Sequence, residues 1–187
     1  MGATVADAAR ALAAGALVVY PTDTLWGLAA RADDRSALDR LVAAKGRAPD
    51  QPISVAVSAL DEVEPFAELS PWARGFLRGH LPGPYTVLVR PSARARRALA
   101  PAVASGPTIG FRVPDHPLAR ELARRAGPIT ATSANRHGAP PARSLAEARR
   151  TLGSAVAVYL AGGPAPTGRP STLVDLTGPR ARAVRRS

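Results

Sequence analysis

The chain has 187 residues, enough for one well-packed domain (1–187) and short for two. It has no cysteine, which removes disulfides, thiolate catalysis and cysteine-bound metal, and its histidines His80, His116 and His137 share no metal-ligand spacing. A net charge of +11 points to anionic partners, with a phosphorylated small molecule and a nucleic acid both open.

Residues 1–10 lack the apolar core of a signal peptide, and no run approaches the roughly 18 apolar residues that span a membrane, so the expected location is the cytoplasm. Hydrophobic residues make up 46% of the chain but aromatics only 4%, so alanine, leucine and valine must fill the core.

Val5, Ala8, Ala9 and Leu12 recur at helical spacing, and Gly15 ends the pattern. The apolar run Ala16 to Tyr20, bounded by Gly15 and Pro21, reads as a buried strand. Ser36 is placed to cap a helix through Ala44, with Leu38, Leu41 and Val42 inward. Ile53 to Val57 reads as a strand, and Ser70-Pro71 opens a helix to about His80. Strands follow at Tyr85 to Arg90 and Thr108 to Val113. Asp115 is expected to cap a helix to Ala126, ended by Gly127-Pro128. Ile129 to Thr132 reads as one strand. Ser144 to Glu147 has the form of a capping box for a helix to about Leu152. Val156 to Leu160, Thr172 to Leu176 and Ala181 to Arg185 complete the strands, and the Gly- and Pro-rich stretch Gly162 to Pro170 reads as a loop. Alternating helices and strands without a repeat predict an α/β fold, a twisted mixed sheet with flanking helices.

Lys45 is the only lysine; every other residue among the 25 Lys plus Arg is arginine. Lysine is a compact, rotatable point charge, so its use in Lys45-Gly46-Arg47 marks a candidate anion site. The other polar, small-residue segments also fall at strand ends, where sheet proteins bind ligands. They are Pro21 to Gly27, Leu81 to Thr86, Thr132 to Asn135 and Pro170 to Thr172. Their neutral donors and acceptors suit a polyphosphate with a small polar substrate. The same residues also suit ordinary turns, with Asp23 as a cap. Paired carboxylates and a Ser/His/Asp set are absent from the pattern. Gly162-Gly163 lacks the downstream lysine of a phosphate-binding glycine loop.

Taken together and in order, these segments resemble the YrdC/Sua5 family of threonylcarbamoyl-AMP synthases. The resemblance rests on Tyr20 to Thr24 with Gly27-Leu28, on Lys45 to Arg47, and on Pro82 to Thr86. It continues through Thr108 to Pro114 with His116-Pro117, Ser133 to Asn135 with Gly138, and Ser171-Thr172. It covers about residues 4 to 187, in the manner of the short form without an added C-terminal domain. It implies a YrdC-like mixed sheet with a large basic concave cavity. The implied reaction takes ATP, L-threonine and bicarbonate or CO2 to threonylcarbamoyl-AMP and pyrophosphate, with Mg2+ accompanying ATP. A separate threonylcarbamoyl transferase complex would then modify adenosine 37 of tRNA, with direct contact to tRNA or double-stranded RNA left open. By the same resemblance Arg47, Gln51, Thr108, Ser133, Asn135 and Arg185 contact ATP. Thr22 or Thr24, Arg112, the backbone of Ala131, and Ser171 hold L-threonine, while Lys45 and Arg47 act on the reacting anions. No protein side chains are expected to bind a metal.

The chain departs from the family pattern at Ala56, where many members carry a histidine touching threonine, and at Gln51, Trp26 and Pro141, where asparagine, tyrosine and serine are common. One neutral hydrogen bond lost at Ala56 costs roughly 1 kcal/mol of selectivity. Two other functions fit the residues: a non-catalytic RNA-binding module, and a carbamoyl-transfer relative with another acceptor.

Overall fold

A computed structural model describes residues 2–48 and 51–184. In chain order its elements are α1 (Val5–Ala13), β1 (Val18–Tyr20), β2 (Gly27–Ala29), α2 (Arg35–Lys45), β3 (Val55–Ala56), β4 (Ala67–Glu68), α3 (Pro71–His80) and β5 (Tyr85–Pro91). These are followed by α4 (Ala93–Ala98), α5 (Pro101–Ala104), β6 (Ile109–Arg112), α6 (Pro117–Ala126), β7 (Ile129–Thr130), β8 (Thr132–Ser133), α7 (Leu145–Leu152), β9 (Val158–Tyr159), β10 (Thr172–Asp175) and β11 (Arg182–Val184).

The expected helices form, but their starts are chosen by hydrogen bonding rather than by residue type alone. Helix α2 is capped by Asp34, two residues ahead of the expected Ser36, with its carboxylate accepting from the Ala37 amide at 3.0 Å. Helix α6 begins at Pro117 behind His116, with no side-chain cap, so Asp115 does not serve as one. Pro117 needs no amide partner at that position. At α7 the Ser144 hydroxyl accepts from the Glu147 amide, while the Glu147 carboxylate takes the N–H of Arg143 instead of closing the box on Ser144. A complete capping box forms at α1, between Thr4 and Asp7.

Among the described residues the strands form two mixed sheets rather than one. The smaller has four strands in the order β8-β2-β1-β9, and the larger follows β11-β10-β5-β6-β3-β7, with β4 pairing the far end of β5. The stretch expected as a single strand from Ile129 to Thr132 is shared between them. Its first half, β7, pairs with β3; its second half, β8, pairs with β2. Ala131 lies at the crossing, with its amide donating to the Ser54 carbonyl at 2.7 Å. The chain beyond β2 holds the other edge of β7: the Thr130 amide donates to the Ala30 carbonyl at 2.9 Å, and the Ala32 amide to the Pro128 carbonyl at 3.0 Å.

Two apolar clusters result. A large one packs α2, α3 and α5 with Val55, Val87, Ile109 and Phe111 of the larger sheet. A smaller one sandwiches Ala8 and Leu12 of α1 with Leu122 and Ala123 of α6 over Val18 and Tyr20. Each fully buried leucine or valine contributes about 1.5–3 kcal/mol. No helix of the described residues is long and apolar enough to cross a membrane.

Thr130, a fully buried side chain, helps to join the sheets. The Thr130 hydroxyl donates to the Leu28 carbonyl at 2.9 Å and accepts from the Ala30 amide at 3.0 Å, while the Thr130 carbonyl accepts from the Tyr20 hydroxyl at 3.1 Å. Thr130→Val keeps the shape but leaves a buried N–H and C=O unpaired. It is expected to lower stability by about 1–3 kcal/mol, read as a reduced urea midpoint at unchanged slope.

Candidate functional site

A narrow cleft opens where the two sheets meet. Its walls come from the end of β1 and the following turn, the last residue of β6, the β7–β8 crossing, and the entry to β10. Thr22, Thr24, Arg112, Ala131 and Ser171 all line it, so the residues expected around threonine lie on one surface.

Local chemistry explains each position. The Thr22 hydroxyl donates to the Leu25 carbonyl at 2.7 Å and accepts from the amides of Thr24 and Leu25, each at 3.2 Å. It thus holds the tight turn that presents Thr24, whose hydroxyl lies 3.1 Å from it. Gly27 has to be small, because a Cβ there would stand 2.6 Å from the Tyr20 ring. Burial raises the Tyr20 hydroxyl to about 12, so it keeps the proton it donates to Thr130. The Ser171 and Thr86 hydroxyls are 2.8 Å apart, placing Ser171 at the mouth of the parallel β5–β10 pair.

Arg112 supplies the charge of the cleft. Its Nη2 donates to Asp23 Oδ1 at 2.5 Å, and the two side chains are only 9% and 15% exposed. Ala56 is its register partner on β3 and presents only a methyl there. The indole Nε1 of Trp26 and the Nε of Arg112 are buried without a hydrogen-bond partner among the described residues. The cleft thus brings together a guanidinium, several hydroxyls and an unsatisfied indole donor, groups able to hydrogen-bond an anionic oxygen.

Lys45 is tied to a wall of the same cleft through the Ser133 backbone. It ends α2 and is capped by Gly46 in the left-handed conformation, φ 61°. Its side chain is buried, and Nζ donates to the carbonyls of Ser133 at 2.5 Å and Asn135 at 2.8 Å. Ser133 is therefore the joint, lining the cleft while holding Lys45. Two of the three ammonium donors are used, which leaves one for a ligand. Burial, aided by the nearby Arg47 charge, pushes the Lys45 ammonium down to about 8. The two accepting carbonyls pull the other way. Asn135 anchors the following loop, with its amide donating to the carbonyls of Arg136 at 2.9 Å and Ala139 at 2.6 Å; its Oδ1 is buried and unpartnered among the described residues.

The remaining expected nucleotide residues form a second patch one turn away. Arg47 donates to Gln51 Oε1 at 3.0 Å and to the Pro52 carbonyl at 3.1 Å, and burial lowers its pKa. Pro52 and Thr108 line a neighbouring cavity of about 350 Å³ between α2 and α5, separate from the cleft of Arg112. The nucleotide set thus divides into Lys45, Ser133 and Asn135 on one side and Arg47, Gln51 and Thr108 on the other, joined through the Lys45–Arg47 turn. Arg185 lies outside the described residues. No group of three or more His, Cys, Asp or Glu side chains that could hold a metal ion occurs among the described residues.

Sequence reading did not single out Tyr20 or Trp26 as lining the cleft, nor Asp23 as the partner of Arg112. Their signal was adjacency to Thr22 and Thr24, but which of these neighbours turn inward depends on the turn. It also treated Gly162 to Pro170 only as a loop. That stretch folds back on the cleft segment: the Thr167 amide donates to the Asp23 carbonyl at 3.3 Å and the Gly168 amide to the Thr24 carbonyl at 2.8 Å. Its base rests on His116, whose Nε2 donates to the Pro164 carbonyl at 3.1 Å. Burial pushes this imidazole below its usual range, against the pull of that carbonyl and of Asp23 and Asp115.

Comparison with known proteins places this arrangement. The Sua5_yciO_yrdC family profile, described as "Telomere recombination", matches residues 10–187. A threonylcarbamoyl-AMP synthase from Chromohalobacter salexigens is 43% identical over 174 residues, covering 92% of each chain. A protein from Mycobacterium tuberculosis H37Rv is 40% identical over 182 residues, covering 97% of this chain and 82% of its own length. The crystal structure of P. abyssi Sua5 complexed with L-threonine superimposes with a TM-score of 0.88 at 29% identity. It covers 97% of this chain, which spans 53% of that longer protein. The chain described here belongs to the Sua5/YciO/YrdC family.

Proposed function

We propose that this protein is an L-threonylcarbamoyladenylate synthase, a nucleotidyltransferase that joins L-threonine, CO2 or bicarbonate, and ATP. The observation that carries the reading is Ser133: its residue lines the Arg112 cleft, and its carbonyl holds the chain's only lysine. The relatives' names support the same activity.

In this reading Arg112 binds the carboxylate of threonine, with Thr22, Thr24, the Ala131 backbone and Ser171 around the rest of the molecule. The threonine amine adds to CO2, forming a C–N bond and releasing a proton. An oxygen of the resulting carbamate then attacks the α-phosphorus of ATP, and pyrophosphate leaves with the electron pair of the broken P–O bond. Carbamate and triphosphate repel each other by roughly 4 kcal/mol for unit charges about 4 Å apart at an effective dielectric of about 20. Lys45 and Arg47 offset that repulsion while Gln51, Thr108, Ser133, Asn135 and Arg185 hold the nucleotide. The carbamate is already a nucleophile, so no side-chain base is needed. Mg2+ enters as the companion of the ATP phosphates rather than on protein ligands. The adenylate is then passed to a threonylcarbamoyl transferase complex that modifies adenosine 37 of tRNA.

Pyrophosphate release from ATP is expected only when L-threonine and bicarbonate are both present, with the adenylate identified by mass spectrometry. Turnover with threonine omitted would favour carbamoyl transfer to another acceptor and defeat the proposal. Arg112→Lys replaces a fork with a point charge and is expected to raise the KM for threonine about tenfold to hundredfold, the loss of one charged hydrogen bond. Lys45 is cationic below about pH 8 and loses its proton as pH rises through that value. ATP affinity, followed by calorimetry, is therefore expected to fall between pH 7 and pH 9 in the parent protein. In Lys45→Met it is expected to be low and flat across the same range; a parent-like pH profile in that variant would remove Lys45 from the nucleotide site.

A further inference from the structure

We propose that Asp23 is the positioning residue of the carboxylate site, holding Arg112 in the cleft with its side chain. The proposal rests on the threonine reading of the cleft given above.

The contact between the two side chains is one oxygen to one nitrogen, Asp23 Oδ1 to Arg112 Nη2 at 2.5 Å, rather than a two-pronged pair. An end-on contact of this kind fixes where the guanidinium lies without using up its fork. Nε of Arg112 is buried and without a partner among the described residues, so donor capacity remains for an incoming carboxylate. Asp23 Oδ2 is likewise buried, without a hydrogen-bond partner among the described residues. A guanidinium left alone in a wall this closed would have to be desolvated without compensation, so it would turn toward water and take its donors out of the cleft. The backbone carbonyl of Asp23 meanwhile accepts from the Thr167 amide, and that of Thr24 from the Gly168 amide. Asp23 thus touches both Arg112 and the loop that contains Thr167.

Asp23→Asn preserves size but removes the charge that holds Arg112. By calorimetry its dissociation constant for L-threonine is expected to rise tenfold or more, while that for ATP stays within twofold. In steady-state assays the loss is expected in the KM for threonine, with kcat within about threefold at saturation. Asp23→Glu keeps the charge one methylene further out and is expected to recover much of the affinity. Phenylglyoxal labelling of Arg112, read by mass spectrometry, is expected to be suppressed in the parent and several-fold higher in Asp23→Asn. Circular dichroism establishes that each variant is folded, and Asp23→Glu carries the test should Asp23→Asn fail to fold. Parental threonine affinity in folded Asp23→Asn, equal losses for threonine and ATP, or a Glu variant no better than Asn would each overturn the proposal. If the parent protein binds no threonine, the synthase reading falls instead; unchanged Arg112 labelling in Asp23→Asn would then overturn the positioning role as well.

Discussion

Thr130 is the point on which the two sheets depend. Its hydroxyl satisfies a carbonyl and an amide of the chain around β2, its amide and carbonyl bind Ala30 and Tyr20, and it sits in a strand whose other edge belongs to the second sheet. Buried backbone groups left unpaired are expensive, so this knot admits little slippage. Two walls of the cleft start beside it. Tyr20 starts the turn carrying Thr22 to Trp26, and the residues after Thr130 are Ala131 and Ser133. The cleft is the gap left where a strand changes sheets.

Charge is distributed around that gap with restraint. Most of the arginines are exposed, and several spend their charge on local pairs such as Arg124 and Arg125 with Glu121. Such surface pairs contribute little to stability. Among the described residues Lys45 and Arg112 are buried instead, and each is held differently. Lys45 is surrounded by carbonyls, so it keeps a net positive charge to present to an anion. Arg112 is paired end-on with Asp23. Two buried cations held in these two ways suit two anionic substrates that must meet without either binding in the other's place.

Much of this was legible from residue order. The periodicity of Val5 to Leu12, the Ser70-Pro71 start and the apolar runs at Val18, Val87 and Ile109 name elements that form. What escaped was decided by competition between neighbours. Asp34 caps α2 in place of Ser36 because a carboxylate is available earlier in the turn. The two short helices α4 and α5 were hidden in an arginine- and alanine-rich stretch, where Ser92 and Pro101 supplied the start signals. Strand β2 was masked because Gly27 follows a polar turn, although a side chain at that glycine would collide with Tyr20.

Residue types and their order were enough to exclude thiol and metal chemistry of the cysteine kind and to mark Lys45 as singular, while the list Thr22, Thr24, Arg112, Ala131 and Ser171 came from the family resemblance that the ordered motifs carry. Those are properties of single side chains and of local spacing, and they survive in one dimension. Only the tertiary structure showed that one strand serves two sheets, that Thr108 faces a different cavity from Arg112, and that Asp23 links Arg112 to a loop about 140 residues further along the chain. Such contacts join segments far apart in sequence, and their geometry is set by how the sheets pack, which no local pattern encodes.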